Sequence, residues 1–211
     1  MIDEAMVVGL GSGSTAAIAI ELLGERVEQG LDIIGVATSK ESARIAKHCG
    51  IRLSDLSHHP KVDLTIDGAD RFDAQCRLIK GGGGALLHEK IVAFASKKLI
   101  IIADSSKRRD PLGGFPVPVE VVPMAVVPVK EYLDQLGYPS VLRVRDDGHT
   151  PKLTDEANVI LDLKIDVVHD PEKLALQLQS IPGIVEHGLF LGMADMILFG
   201  EGDHVIEMTP S

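Results

Sequence analysis

Between Ala5 and about Ala103, short apolar runs alternate with stretches that have the composition of helices. The clearest runs are AMVVGL, DIIGVAT, VDLTID and KKLIIIAD. Continuous apolar runs are typical of strands buried on both faces of a parallel sheet, with helices as the connections between them. Because such crossovers are right-handed, the sequence predicts an α/β fold with an open, doubly wound, mostly parallel sheet of the Rossmann-like kind.

Two of the predicted helices have recognisable ends. In GSGSTAAIAIELLGERVEQG, we expect Ser12 or Ser14 to cap the helix and Gly30 to end it. The stretch SKESARIAKHCG has the same arrangement, with a serine before the helix and a glycine after it. Each helix would connect two strands of the sheet.

The sequence changes character near Pro111. The stretch PLGGFPVPVEVVPMAVVPV is too rich in proline to form a long helix. It is followed by a predicted helix (VKEYLDQLG), strands (VLRVR and NVILDLKI), a helix (DPEKLALQLQSI) and IPGIVEHGLF, whereas the tail ADMILFGEGDHVIEM has the pattern of a hairpin that returns to the first sheet. We expect a Rossmann-like catalytic domain of residues 1–117 and 190–211. A small α+β domain of the ferredoxin-like kind, residues 118–189, would act as a lid or in oligomerisation.

Composition excludes several classes of function. The net charge of −10, without a run of Lys or Arg, gives no general attraction for nucleic acid. No apolar run reaches the roughly 18 residues needed to cross a bilayer, and acidic residues at the start make secretion unexpected. Two cysteines, Cys49 and Cys76, are too few for a disulfide framework. We therefore expect a cytoplasmic protein with a small-molecule ligand.

The stretch GSGSTA, residues 11–16, lies between a predicted strand and a predicted helix. Backbone N–H groups at a helix N-terminus can bind an anion, and Ser12, Ser14 and Thr15 add hydroxyl donors, so the stretch indicates a phosphate site. The alternative is a tight turn with no ligand. The stretch also matches the GxGxxA dinucleotide fingerprint, but the second strand ends at Ala37 without the acid that would hold a ribose.

A pair of acids follows the third apolar run, in TIDGAD. Asp67 and Asp70 would lie at the carboxyl end of a parallel strand, where open α/β sheets form their sites. Two nearby carboxylates can have pKa values that differ enough to divide acid and base work. The alternative is ordinary Asp-Gly turn chemistry.

Residues 80–90 read KGGGGALLHEK, and four consecutive glycines are costly to order. The run therefore indicates that the backbone comes very close to a ligand, with Lys80 beside it. Glu89 interrupts an apolar flank of the following helix, and burial there would raise its pKa toward that of a general base. Alternatively, Glu89 only favours the helix dipole. The apolar residues on that flank are Leu86, Val92 and Ala93.

A fourth motif, ADSSK, ends in Lys107, which could meet a phosphate as a point charge. All four motifs follow strands that we assign to one sheet, so they predict one pocket. His58, His59 and His187 have no metal-ligand spacing with an acid or a cysteine, and we expect no metal site.

The motifs resemble those of type A ribose-5-phosphate isomerases. GSGSTA resembles the phosphate loop of that family, DGAD its acidic pair, KGGGGALLHEKIVA its glycine-rich catalytic segment and ADSSK its lysine loop; FPVPVEVVPMA and IPGIVEHGLF are also similar to family stretches. The likeness covers nearly the whole chain.

The resemblance implies interconversion of ribose 5-phosphate and ribulose 5-phosphate, without a metal or an organic cofactor, in the non-oxidative branch of the pentose phosphate pathway. It implies that Glu89 moves a proton between C2 and C1 through a cis-enediolate. Asp67 would act in ring opening and hydroxyl binding, and Asp70 and Lys80 in proton transfers at the oxygens. It also implies a homo-oligomer, a dimer or a tetramer. The implied substrate-binding residues are Ser12, Gly13, Ser14, Thr15, Asp67, Gly68, Ala69, Asp70, Lys80, Gly81, Gly82, Gly83 and Lys107, with Thr38 as a weaker candidate.

Two features depart from the family pattern. Arg71 follows DGAD where the family commonly has a glutamate, and the chain begins almost at the first strand where the family usually has a helix. Two other functions stay open at this stage. One is a sugar-phosphate sensor without catalysis, which would not need the set of Glu89, Asp67, Asp70 and Lys80. The other is an aminosugar-phosphate enzyme, for which the chain lacks a matching histidine motif.

Overall fold

The computed structural model describes residues 1–210, which form two compact units. Unit 1 comprises Met1–Ala69, His88–Ser106 and the chain from Gly192, and unit 2 comprises Asp70–Leu87 and Lys107–Leu191. The strands, in chain order, are β1 (Val7–Leu10), β2 (Ile34–Ala37), β3 (Arg52–Ser54), β4 (Leu64–Asp67), β5 (Arg71–Phe72), β6 (Leu78–Ile79), β7 (Leu99–Asp104), β8 (Val117–Val121), β9 (Ser140–Leu142), β10 (Val159–Leu163), β11 (Ile184–His187), β12 (Leu189–Phe190), β13 (Met196–Glu201) and β14 (His204–Met208). The helices are α1 (Ser14–Glu28), α2 (Lys40–His48), α3 (Leu86–Phe94), α4 (Val126–Gln135) and α5 (Pro171–Gln179).

Unit 1 contains a seven-stranded sheet in the order β14-β13-β7-β4-β1-β2-β3. Every neighbouring pair is parallel except β13 and β14, which form an antiparallel hairpin. The predicted parallel sheet and the predicted return of the tail to it are confirmed. Helix α1 connects β1 to β2, and helix α2 connects β2 to the edge strand β3.

The core of unit 1 explains why its strands read as continuous apolar runs. Val8, Leu10, Leu64 and Ile100 are each at most 3% exposed and belong to one apolar cluster with residues of α1 and α2. Burial of such a side chain contributes roughly 1.5–3 kcal/mol relative to its exposure to water. A polar residue on either face of these strands would lose that contribution.

The ends of the helices in unit 1 agree only in part with the sequence analysis. Ser39 caps α2, because its Oγ accepts the N–H of Ser42 at 3.0 Å. Gly30 follows α1 with φ +108°, as a glycine that ends a helix should. The predicted cap of α1 by Ser12 or Ser14 is wrong: the capping position is Gly13, and no side chain caps this helix.

Unit 2 contains a four-stranded antiparallel sheet in the order β11-β8-β10-β9. The chain order β8-α4-β9-β10-α5-β11 with this strand order is the ferredoxin-like arrangement. Its own apolar cluster is centred on inward-facing valines and leucines such as Val119 and Leu161, both fully buried. The predicted small α+β fold is confirmed, whereas the boundaries 1–117 with 190–211 and 118–189 stay a prediction about independently folding domains.

Unit 2 also contains a three-stranded antiparallel sheet in the order β12-β6-β5. Strand β6 precedes the glycine run, so this run does not follow a strand of the large parallel sheet. Our assignment of all four motifs to the ends of strands in one sheet is therefore wrong for KGGGG. A two-residue strand between polar residues has too little pattern to show which sheet it joins. Within residues 1–210, no helix combines the length and the apolar character needed to cross a membrane.

Candidate active site

In unit 1, the carboxylate of Asp67 is fixed by two backbone donors. Asp67 is the last residue of β4 and is 1% exposed. Its Oδ1 accepts the N–H of Ser12 at 2.9 Å and its own neighbour's N–H, that of Gly68, at 2.7 Å. Gly11 allows this approach, since a Cβ there would lie 2.3 Å from Oδ1 of Asp67. The loop after β1 and the end of β4 therefore position this acid together.

The hydroxyl of Ser12 is used inside the same unit. It lies 2.8 Å from Oγ1 of Thr38 and 3.2 Å from Oγ of Ser42. The Thr38 hydroxyl donates to the carbonyl of Leu10 at 3.0 Å, and Thr38 is fully buried. Ser12 and Thr38 thus belong to a network that holds the loop in place, and their role in substrate binding stays a prediction.

The remaining residues of GSGSTA lie at the exposed start of α1. Gly13, Ser14 and Thr15 are exposed. Gly13 has φ +94°, and a Cβ at this position would meet no atom within 4 Å. Because no side chain caps α1, its first N–H groups keep their capacity to bind an anion.

Glu89 lies on the buried face of α3. It is 5% exposed, and Val92, one turn later, is 3% exposed, whereas Ile91 and Phe94 on the other flank are 45% and 86% exposed. The predicted burial of the flank that carries Glu89 is confirmed, and the exposure of the other flank is a new finding. The role of this buried carboxylate as a base stays a prediction.

In unit 2, the carboxylate of Asp70 is joined to the glycine run. Its Oδ2 accepts the N–H of Gly82 at 2.7 Å, and the N–H of Asp70 donates to the carbonyl of Ile79 at 2.9 Å. A Cβ on Gly82 would lie 2.6 Å from Oδ1 of Asp70. The second acid of DGAD is thus fixed by the run that follows it in sequence.

Three of the four glycines in the run have a structural explanation. Gly81 and Gly84 have φ +98° and +97°, a region that favours glycine. Gly82 is required by the approach of Asp70, and a Cβ on Gly83 would meet nothing within 4 Å. The N–H of Gly84 donates to the carbonyl of Gly81 at 3.0 Å. Gly83 is exposed, and its N–H makes no hydrogen bond within the part of the chain that the structure describes.

The sequence analysis did not single out Arg143, which contacts this run. Its Nη1 donates to the carbonyls of Gly81 and Gly82 at 2.8 and 3.1 Å. The other two guanidinium nitrogens bind the carboxylate of Asp162, at 2.9 and 2.5 Å. An arginine in the strand-like stretch VLRVR was the available signal, but the pattern does not show which backbone it meets.

Lys80, which precedes the run, is 2% exposed. Its Nζ lies 5.5 Å from the centre of the Phe190 ring, and its N–H donates to the carbonyl of Gly188 at 2.8 Å. A Cβ on Gly188 would lie 2.3 Å from the carbonyl oxygen of Lys80. The glycine of EHGLF therefore allows the close approach that holds Lys80.

Arg71, the departure from the family pattern, has a structural explanation in unit 2. Its Nη1 donates to the carbonyl of Asp70 at 2.7 Å and its Nη2 to the carbonyl of Gly114 at 2.9 Å. Its guanidinium lies 5.6 Å from the centre of the Phe115 ring. Arg71 thus ties the end of DGAD to the loop before β8.

The remaining predicted residues are less constrained. Lys107 is half-buried at the end of a short 3₁₀ helix, Ser105–Lys107, and Gly68 and Ala69 are half-buried after β4.

Burial raises the pKa of the Cys76 thiol, which favours its neutral form. Within residues 1–210, no group of three or more His, Cys, Asp or Glu side chains is arranged to hold a metal ion.

The chain is similar to solved structures of ribose 5-phosphate isomerases. The ribose 5-phosphate isomerase A from Methanocaldococcus jannaschii has a TM-score of 0.94 and is 37% identical, over 99% of this chain and 93% of that one. A D-ribose-5-phosphate isomerase in complex with phospho-erythronic acid has a TM-score of 0.95 and is 36% identical, with the same coverage. The chain is therefore an enzyme of the aldose–ketose isomerase class.

The model of the family Ribose 5-phosphate isomerase A (phosphoriboisomerase A) matches residues 34–204. The ribose-5-phosphate isomerase A of Ruegeria sp. (strain TM1040) is 48% identical over 99% of this chain and 82% of its own length. That of Methanosarcina acetivorans is 47% identical over 99% of this chain and 88% of its own. The chain belongs to the ribose 5-phosphate isomerase A family.

Proposed function

We propose that the protein interconverts D-ribose 5-phosphate and D-ribulose 5-phosphate through a cis-enediolate, with Glu89 as the general base. The main support for this reaction is the similarity to ribose-5-phosphate isomerases A over 99% of the chain. The bound molecule of one solved neighbour, phospho-erythronic acid, combines a phosphate with a carboxylate. A carboxylate is planar and anionic, as an enediolate is, so the same donors could stabilise both.

The proposed chemistry is a proton transfer between adjacent carbons. The Glu89 carboxylate removes the proton from C2 of the open-chain aldose, the C–H electrons form a C1–C2 double bond, and negative charge develops on O1. Glu89 then returns the proton to C1, while the O2 hydroxyl loses its proton and becomes the ketose carbonyl. The proton released from O2 goes to O1, with Asp70 and Lys80 assisting these transfers. Atoms and charge balance without an oxidant.

Burial of Glu89 supports its role as the base. A carboxylate at 5% exposure is shielded from water, as is expected of a base that moves a proton between two carbons of a bound substrate. Asp67 would act in ring opening, and the N–H groups of Ser12 and Gly68 hold its Oδ1 in place.

The hydrogen bonds within the glycine run support one backbone amide as the donor to the oxyanion. Of the amides from Gly81 to Gly84, that of Gly82 donates to Asp70 and that of Gly84 to a carbonyl of the run, while Gly81 is buried and Gly83 is exposed. We therefore propose the exposed N–H of Gly83 as the donor to the developing charge. A preorganised donor of this kind contributes about 3 kcal/mol to the transition state.

For the phosphate, we propose the start of α1 with Gly13, Ser14 and Thr15, together with Ser12 and Lys107. Binding of this non-reacting end would orient C1 and C2 for reaction. Lys107→Ala should then mainly raise KM for the phosphorylated sugar. If the parent enzyme turned over free ribose equally well, the phosphate assignment would be wrong.

The function is tested by incubating the purified protein with ribose 5-phosphate, with and without a chelator, and measuring the ketose formed. Turnover in both samples is expected. A sugar-phosphate sensor would bind without forming ketose, and an aminosugar-phosphate enzyme would turn over its aminosugar substrate instead. Running the reaction in D₂O separates an enediolate from a hydride shift, because only a proton held by a base exchanges with solvent and leaves deuterium in the product.

The base is tested by Glu89→Gln, which keeps the size of the side chain. We expect turnover to fall by about 10²–10⁴-fold, while binding of phospho-erythronic acid is retained. Glu131→Gln, at an exposed glutamate of α4, is the matched control and should be fully active. Near-normal turnover by Glu89→Gln would exclude Glu89 as the base.

We also propose a cytoplasmic homo-oligomer that acts in the non-oxidative branch of the pentose phosphate pathway, on the basis of the family. The small α+β domain, residues 118–189, would serve as a lid or in oligomerisation. Light scattering on the purified protein would test the assembly, and a mass equal to that of one chain would contradict it.

A further inference from the structure

The glycine run depends on a partly buried ion pair in unit 2. The side chains of Arg143 and Asp162 are 12% and 16% exposed, and the two are joined by a bidentate contact. Arg143 directly follows β9 and Asp162 lies in β10, whose antiparallel pairing with β9 is continued by the bond from the N–H of Arg143 to the carbonyl of Ile160. The guanidinium therefore projects from a rigid sheet, and Asp162 fixes its orientation.

The contact with the run fixes two peptide groups. The carbonyl of Gly81 accepts from Arg143, while the N–H of the same peptide group, that of Gly82, donates to Asp70. This first peptide is thus held at both ends. The carbonyl of Gly82 also accepts from Arg143. In a planar trans peptide the N–H points opposite to the C=O, so the guanidinium turns the N–H of Gly83 away from itself.

We propose that Arg143, oriented by Asp162, is a positioning residue that aims the Gly83 N–H at the developing oxyanion and holds Asp70 through Gly82. This inference rests on the proposed isomerase function. A lysine cannot replace the arginine, because a single ammonium lacks the planar fork that binds a carboxylate and two carbonyls at once. The glycines allow the run to come close to its ligand, whereas the ion pair gives it one conformation.

The test compares three variants with the parent enzyme in the ribose 5-phosphate assay. In Arg143→Ala, kcat should fall by about 10²-fold, the effect of a misplacement of about 1 Å in a catalytic group, while KM changes little. Asp162→Asn should lower kcat by a smaller factor, since the guanidinium loses only its orienting partner. Arg145→Ala removes an exposed arginine of the same segment and should leave both constants unchanged.

Rescue separates positioning from a purely structural role. Guanidinium ion, added to Arg143→Ala well below the concentrations that unfold the protein, should restore part of kcat. The urea concentration at the midpoint of unfolding should not rise as kcat recovers. A folded Arg143→Ala with normal kcat, or a loss of kcat that parallels a loss of stability without rescue, would overturn the proposal. If Arg143→Ala does not fold, full activity of folded Asp162→Asn would overturn it equally. Absence of turnover in the parent would instead remove the isomerase function and the inference with it.

Discussion

Replacement of Gly81 and of Gly83 by alanine should change the free energy of unfolding in opposite directions. Gly81 has φ +98°, and alanine in the left-handed region costs about 1–2 kcal/mol. A Cβ there would also lie 2.8 Å from Cβ of Leu86 and 3.1 Å from its Cδ2, and overpacking of this kind costs about 1–3 kcal/mol. Gly81→Ala should therefore lower the free energy of unfolding by about 2–5 kcal/mol.

Gly83 offers the matched comparison. Its φ lies outside the left-handed region and a Cβ would meet no atom within 4 Å, so alanine adds no strain to the folded chain. Because alanine has fewer conformations than glycine in the unfolded chain, Gly83→Ala should raise the free energy of unfolding by about 0.4–1 kcal/mol. Alanine should thus stabilise the protein at Gly83 and destabilise it at Gly81, two residues earlier.

Thermal unfolding followed by circular dichroism measures both variants. For a chain of this size, 1 kcal/mol corresponds to about 2–4 °C in Tm. Gly81→Ala should lower Tm by about 4–20 °C, and Gly83→Ala should raise it by about 1–4 °C. If Gly83→Ala lowered Tm as much as Gly81→Ala, the run would need glycine for a property shared by all its members, and our position-by-position explanation would be refuted.

Two further predictions concern polar contacts away from the proposed base. Arg71→Met keeps apolar contact with Phe115 but removes both carbonyl hydrogen bonds of the guanidinium; it should lower the free energy of unfolding by about 1–3 kcal/mol, and an unchanged urea midpoint would argue against this anchor. The hydrogen bond from Lys97 lowers the pKa of Asp63, so the stability that Asp63 contributes is present above its unfolded pKa of about 3.9. Asp63→Asn should therefore lower Tm at pH 7, and the difference from the parent should shrink as the pH falls below about 4; a difference that stayed constant with pH would contradict the linkage.

The positions of Asp67 and Glu89 in the fold could be predicted because they follow local rules. Asp67 ends an apolar run, and the carboxyl end of a buried parallel strand is where polar side chains can reach a ligand. Glu89 interrupts an apolar helix flank, and the structure confirms that this flank is buried. Both features depend on periods of two or 3.6 residues, which a short window of sequence already contains.

The predictions that failed required contacts between distant segments. The capping position of α1 is Gly13 and not a serine, and the amide and the hydroxyl of Ser12 instead bind Asp67 and Thr38, far away in sequence. Strand β6 has two residues, and only its partners β5 and β12 show that it belongs to a separate antiparallel sheet.

The sequence by itself determined the alternation of strands and helices, the ferredoxin-like second unit and the positions of Asp67 at a strand end and Glu89 on a buried helix flank. Only the tertiary structure decided why three of the four glycines are needed: φ is positive at Gly81 and Gly84, and the carboxylate of Asp70 approaches Gly82. It alone brought Arg143, about 60 residues further along the chain, to the carbonyls of that run. The physical reason is that secondary structure depends on neighbouring residues, whereas the direction of a backbone N–H depends on which distant group binds the carbonyl of the same peptide.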